Sequence, residues 1–232
     1  MARIMVDLNK SYWRELFNKL FGDSNSQKLP KSYSELSDKE KEILSLRQQE
    51  NYKKYLNELA LANSDEMFSN GGIEYASILM SVLLNHTNDI ARIYCQGFKS
   101  ELITTQPYWT ELKKYLEKPH HKLFVMVQNS DHVNEPPLQL LHKIKQERIK
   151  NGQDGTIEMR MITTKGKEMI TREYGEDCNF AVFDNNKFRY EYDPENFRAH
   201  GSFNQPETCE KFITLFDNAF HTATPLLFMN ND

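Results

Sequence analysis

Apolar residues recur along the chain with two periods, and the change from one to the other divides it. Trp13, Leu16, Phe17, Leu20 and Phe21 stand three and four apart, which is one face of a helix. Gly22 ends that stripe, and the polar residues 23–31, with Pro30 among them, read as a linker. Ser37-Asp38-Lys39-Glu40 is a capping box: the serine closes the first turn and the glutamate reaches back. It opens a helix of about 25 residues whose apolar side carries Leu44, Tyr52, Tyr55, Leu56 and Leu59.

Asn70-Gly71-Gly72 is the next strong break, and beyond it helix and strand patterns alternate. Residues 73–84 read as a buried helix, 90–95 as a strand, 108–118 as a helix after Pro107, and 122–127 as a buried strand. Pro136-Pro137 opens a helix that Asn151-Gly152 closes near Lys150. Residues 157–162 form a third strand. Residues 180–183 and 188–192 form two more, joined by the turn Asp184-Asn185-Asn186-Lys187. A last helix runs from Pro206 to about Phe220. The pattern predicts a mixed, mostly parallel sheet flanked by helices: an α/β domain over residues 71–232 behind a helical extension over 1–70.

Composition narrows the class without naming a function. The 232 residues are 39% hydrophobic and 27% charged, neither a disordered nor a membrane composition. No apolar run has a membrane helix's length, and residues 1–10 contain Asp7 and no continuous apolar stretch, so no secretory signal is expected. Cys95, Cys178 and Cys209 are odd in number and widely spaced, as expected of reduced thiols in the cytoplasm and not of a zinc framework. The net charge of −4 conceals a split: residues 111–172 carry +4 and residues 173–232 carry −7. That asymmetry suits association with a partner better than general nucleic-acid binding, where basic domains are usual.

Most familiar catalytic motifs are missing. The chain has no GxGxxG, no glycine-rich GK[ST] loop, no HExxH and no GxSxG. His120 and His121 adjoin before a strand and read as a solvated pair; His86, His132 and His221 have no suggestive neighbours. Asp184, Glu191 and Asp193 are candidate carboxylates for Mg²⁺. Arg189 and Glu191, however, stand two apart on one predicted strand, share a face and are expected to pair. No cofactor or metal is expected.

One stretch carries more. Asp177-Cys178-Asn179-Phe180-Ala181-Val182-Phe183-Asp184 is followed by the hairpin and then by Gly201-Ser202-Phe203-Asn204, just ahead of the last helix. This resembles the phospholipase D-like superfamily, in which a strand bears His-x-Lys-x4-Asp and a Gly-Ser-x-Asn element precedes a helix. The resemblance extends over the order of elements from about residue 72 to 228 and leaves out the first 70 residues.

The departures from that pattern decide what it implies. Aligned on Asp184, the family's histidine becomes Asp177 and its lysine becomes Asn179, while Asp184, Gly201, Ser202 and Asn204 are retained. In active members two histidines, one from each motif copy, serve as nucleophile and general acid, and the lysines neutralise the phosphate. A carboxylate repels a phosphodiester, and an amide brings no charge to it. One motif copy also means that an active version needs a dimer. The resemblance therefore implies a vestigial site at Asp177, Asn179, Asp184, Ser202 and Asn204. It implies a self-associating or partner-binding module, a homodimer, and a bacterial defence or mobile-element setting; outside the resemblance, the apolar stripe with Tyr52 and Tyr55 makes the N-terminal helices a candidate protein-binding surface. The alternative is a dimeric phosphodiesterase or nuclease with His200 as substitute nucleophile.

Overall fold

A computed structural model of the chain describes residues 34, 36–98, 100–129, 131, 133–153, 156–175 and 178–228. The apolar stripe at 13–21, the linker at 23–31 and Asp177 lie outside the described residues. Residues Met1–Asn51 and Tyr52–Asp232 form two compact units. The first described helix, α1 (Asp38–Leu61), starts at the expected cap: the Ser37 N–H donates to Glu40 Oε2 at 2.8 Å, and the Glu40 N–H to Ser37 Oγ at 3.4 Å.

The second unit is built on one eight-stranded sheet. Its strands are β1 (Phe68–Asn70), β2 (Ile90–Cys95), β3 (Lys122–Val127), β4 (Ile157–Met161), β5 (Asn179–Phe183), β6 (Lys187–Asp193), β7 (Arg198–Ser202) and β8 (Thr224–Pro225). They lie in the order β1-β7-β6-β5-β2-β3-β4-β8. The expected mostly parallel sheet is corrected here. Only β2–β3 and β3–β4 run parallel; the other five pairings are antiparallel. The reason is the connections. Helices α2 (Ile73–Asn85), α3 (Ser100–Ile103), α4 (Tyr108–Glu117) and α5 (Pro136–Lys150) lie between β1 and β4, and such crossovers allow parallel neighbours. From β5 to β7 the chain turns by hairpins, which force antiparallel pairing.

Strand alternation sends side chains into two separate cores. Ala91, Ile93, Leu123, Val125, Ala181 and Phe183 face α2, α4 and α5, together with Leu56, Leu59 and Phe68. Tyr94, Met126, Phe180, Val182 and Phe188 face α6 (Thr164–Tyr174) and α7 (Pro206–Thr222) through Ile170, Phe212 and Phe216. The second unit thus begins at Tyr52, inside α1, whereas the sequence marks its break at Asn70-Gly71-Gly72. Leu56 and Leu59 are core residues of that unit, and a turn signal gives no sign of this.

Candidate functional site

The parallel strands β2 and β3 end side by side, and antiparallel β5 begins next to β2 at the same edge. In open α/β sheets the crevice outside such carboxyl ends is the usual place for a ligand. Here it holds a polar network set into an apolar wall. Asn179, the first residue of β5, is in register with Glu191 of β6 and donates from Nδ2 to Glu191 Oε2 at 2.6 Å. Its Oδ1 accepts the Gln96 N–H at 2.8 Å. Arg189 lies two residues before Glu191 on the same face, and its Nη2 meets Glu191 Oε1 at 2.5 Å. The side chains of Arg189 and Glu191 are 6% and 5% exposed, so the pairing expected from their spacing is buried. Arg189 Nε also donates to Asn70 Oδ1 at 3.4 Å, and Asn70 in turn donates to the Phe197 carbonyl at 2.5 Å.

Beside this network lies a cavity of about 70 Å³. Met80 from α2, Ile93 from β2, Phe98 and Ile103 supply its apolar wall, and Tyr108 at the start of α4 closes it. The residues that sequence reasoning missed are Asn70, Gln96 and Tyr108. Gln96 and Tyr108 stand in no catalytic motif, and Asn70 reads only as part of the Asn70-Gly71-Gly72 break. The only signal was a pair of charges two apart inside an otherwise aromatic strand.

The remaining candidates sit at the other end of β5. Asp184 follows the strand with φ of 54°, and its carboxylate caps the start of β2. Oδ1 accepts the N–H groups of Asn88, Asp89 and Ile90 at 3.2, 3.0 and 3.3 Å, and Oδ2 takes the Lys187 ammonium at 2.8 Å. Burial pushes this carboxyl up, but the Lys187 bond and the backbone donors outweigh it and hold the pKa below the ordinary value. Ser202 is fully buried; its Oγ accepts the Asn204 N–H at 3.2 Å and donates to the Ser64 carbonyl at 3.4 Å. The neighbouring Gln205 N–H reaches the Asn186 carbonyl at 2.8 Å. Gly201 admits no side chain, because a Cβ there would stand 2.1 Å from the Phe188 carbonyl oxygen. Asp184, Ser202 and Asn204 are therefore gathered at the hairpin end. Five residue steps along β5, roughly 16 Å, separate Asp184 from Asn179. The same separation keeps Asp184 and Glu191 from forming one Mg²⁺ site.

His200 is also apart from the network. It is in register with Tyr190, whose neighbours Arg189 and Glu191 point to the other face of the sheet. Its ring lies 5.3 Å from that of Tyr190 and 5.7 Å from that of Tyr192, and burial lowers its pKa. The histidine pair at 120–121 departs from the solvated reading. His121 is 2% exposed, packed 4.4 Å from the Tyr115 ring, and its carbonyl accepts from Arg148 Nη1 at 3.0 Å. Cys95, Cys178 and Cys209 form no disulfide among the described residues, and no described helix is long and apolar enough to cross a membrane.

No family model and no curated protein matches the chain. Among solved structures it is similar to TrmBL2, an archaeal chromatin protein whose structure shows a novel mode of DNA binding. That likeness has 13% identity and a TM-score of 0.49, over 81% of this chain and 66% of the other, so the chain spans just under two thirds of that protein. It is also similar to Nuc from Salmonella typhimurium, a phospholipase D family member, at 11% identity and a TM-score of 0.47. That match covers 70% of this chain and 100% of Nuc. NucT from Helicobacter pylori gives 12% identity and a TM-score of 0.47, over 69% and 100%.

Proposed function

We propose that the chain is a non-catalytic phospholipase D-like domain, a module for self-association or for holding a protein partner. One observation carries this reading: at the carboxyl end of β2 the Asn179 amide and the Arg189 and Glu191 charges are paired within the protein. Asn179 stands where the resemblance places the family's lysine, and it spends its amide on Glu191 and on the Gln96 N–H. The nearby buried cation, Arg189, is neutralised by Glu191. Phosphodiester chemistry of the family's kind needs a nucleophile and unpaired positive charge on the phosphate oxygens. Position 177 offers an aspartate, and His200 belongs to the opposite face of the sheet.

The test is an assay of the full chain on bis(p-nitrophenyl) phosphate and single-stranded DNA, without divalent ions, beside light scattering. The expected result is no hydrolysis above the buffer control and the mass of a dimer. Turnover that disappears in His200→Ala would establish the phosphodiesterase alternative instead.

A further inference from the structure

Two hydrogen-bond donors in the β2–β5–β6 crevice make no hydrogen bond among the described residues. Tyr108 is 1% exposed, and among the described residues its hydroxyl makes no hydrogen bond. Arg189 uses Nε on Asn70 and Nη2 on Glu191, which leaves both N–H groups of Nη1 unused. The only wholly enclosed side-chain nitrogen or oxygen without a partner among the described residues is His121 Nδ1. Tyr108 Oη and Arg189 Nη1 therefore each keep an open side, and both residues line the same cavity. The Tyr108 hydroxyl and the Arg189–Glu191 pair all belong to residues that line that cavity. Burial raises that hydroxyl's pKa, so it keeps its proton and stays a donor.

Two donors open to one largely apolar cavity are placed to meet an acceptor there. We propose that the cavity binds a small uncharged molecule with an apolar body and one accepting oxygen, which takes hydrogen bonds from Tyr108 Oη and Arg189 Nη1. Charge selects the class. Arg189 is already balanced by Glu191, so a carboxylate would add a second buried negative charge to a site with one cation. An ammonium group would face the Arg189 cation, with the Glu191 charge already balanced by it. Met80, Ile93, Phe98 and Ile103 provide an apolar lining for the body. The volume of about 70 Å³ suits a ring or short chain, since a single water needs only about 10–15 Å³. The proposal rests on the preceding reading only in treating the crevice as a place of binding and not of reaction.

Cyclopentanone is a suitable probe, with cyclopentanecarboxylate and cyclopentylamine as charged counterparts of similar size. Binding to the full chain is read from the ¹³C-methyl NMR signal of Met80, identified through the Met80→Leu spectrum. The ketone should shift that signal saturably below about 50 mM, the range open to so small a ligand. The two charged probes should bind at least about tenfold more weakly. Tyr108→Phe should weaken the ketone on the order of tenfold while leaving the melting temperature unchanged, because the lost hydroxyl has no partner among the described residues. An unmoved Met80 signal would mean that water alone serves the two donors. That outcome, equal binding by Tyr108→Phe, or tighter binding of the carboxylate would each overturn the proposal. A hydrolysis assay on the same sample tests the non-catalytic reading separately.

Discussion

The guanidinium of Arg189 and the carboxylate of Glu191 meet at 2.5 Å from positions two apart on β6, with more than nine-tenths of each side chain out of solvent. A pair so placed gains little over an apolar replacement, yet breaking it strands a charge. Arg189→Met leaves Glu191 with the Asn179 amide as its remaining partner, and should lower stability by about 3–5 kcal/mol. Changing both Arg189 and Glu191 to methionine should recover most of that loss. Urea denaturation of the two variants decides the point. A double variant as unstable as the single one would show that the pair itself, and not the stranded carboxylate, carries the energy.

Gly201 answers to a different constraint. A methyl group there would stand 2.1 Å from the Phe188 carbonyl and 2.7 Å from the Phe68 ring. The carbonyl belongs to the neighbouring strand and cannot swing aside. Gly201→Ala should therefore cost about 3 kcal/mol or more, as overpacking against backbone does. Its urea midpoint, compared with that of Ser202→Ala, checks the claim. Ser202→Ala loses only a hydroxyl that bridges Ser64 and Asn204, at about 1 kcal/mol.

Elements bounded by local signals were legible in the sequence. Strands β2 and β3 and helix α5 span the residues that their apolar runs, Pro136 and the Asn151-Gly152 stop imply. The capping box at Ser37 formed as written. Strand β7 was not foreseen as a strand, because Arg-Ala-His-Gly-Ser has no β-branched or aromatic residue; pairing with β6 and β1 makes it one. Helix α6 was missed for a similar reason: its first turn is polar, and among its buried residues are only Gly166 and Ile170. Strand direction failed because it depends on distant pairing, such as Ala91 with Phe183, which no local pattern encodes. In the site, the contact between Arg189 and Glu191 followed from alternation. Tyr108 could be read only as the start of a helix after Pro107.

Asp184 should show itself in the pH dependence of folding. Its carboxyl titrates below the ordinary 3.8, so it binds protons less readily in the folded chain than in the unfolded one. A depressed carboxyl contributes fully above the unfolded value, and its contribution disappears as pH falls through the folded value. Asp184→Asn should be less stable than the wild type by about 1.5–3 kcal/mol at pH 7, the scale of a hydrogen-bonded charge. That difference should hold down to about pH 5 and shrink as the pH falls below about 4. Urea curves from neutral to acid pH measure it. A gap that does not change with pH would show that the carboxylate's charge is not what holds the start of β2.

The last prediction concerns the break at Asn70-Gly71-Gly72, which in sequence looks like a place to cut. Leu56 is fully buried, Leu59 and Phe68 are nearly so, and the ring of Phe68 packs 5.0 Å from that of Phe203. Tyr52 donates to the Ser69 carbonyl at 3.0 Å, and β1 covers the open edge of β7. A chain starting at residue 71 loses all of this. Burial of the three apolar side chains is worth about 1.5–3 kcal/mol each, which together rivals the whole stability of a typical domain. It also leaves β7 as a bare edge, free to pair with another molecule. Residues 71–232 alone should therefore aggregate or melt without cooperativity, whereas the full chain should melt cooperatively. Size-exclusion chromatography and near-ultraviolet circular dichroism distinguish the cases. A monomeric, cooperatively melting 71–232 fragment would show that α1 and β1 are ornaments on the sheet and not parts of its core.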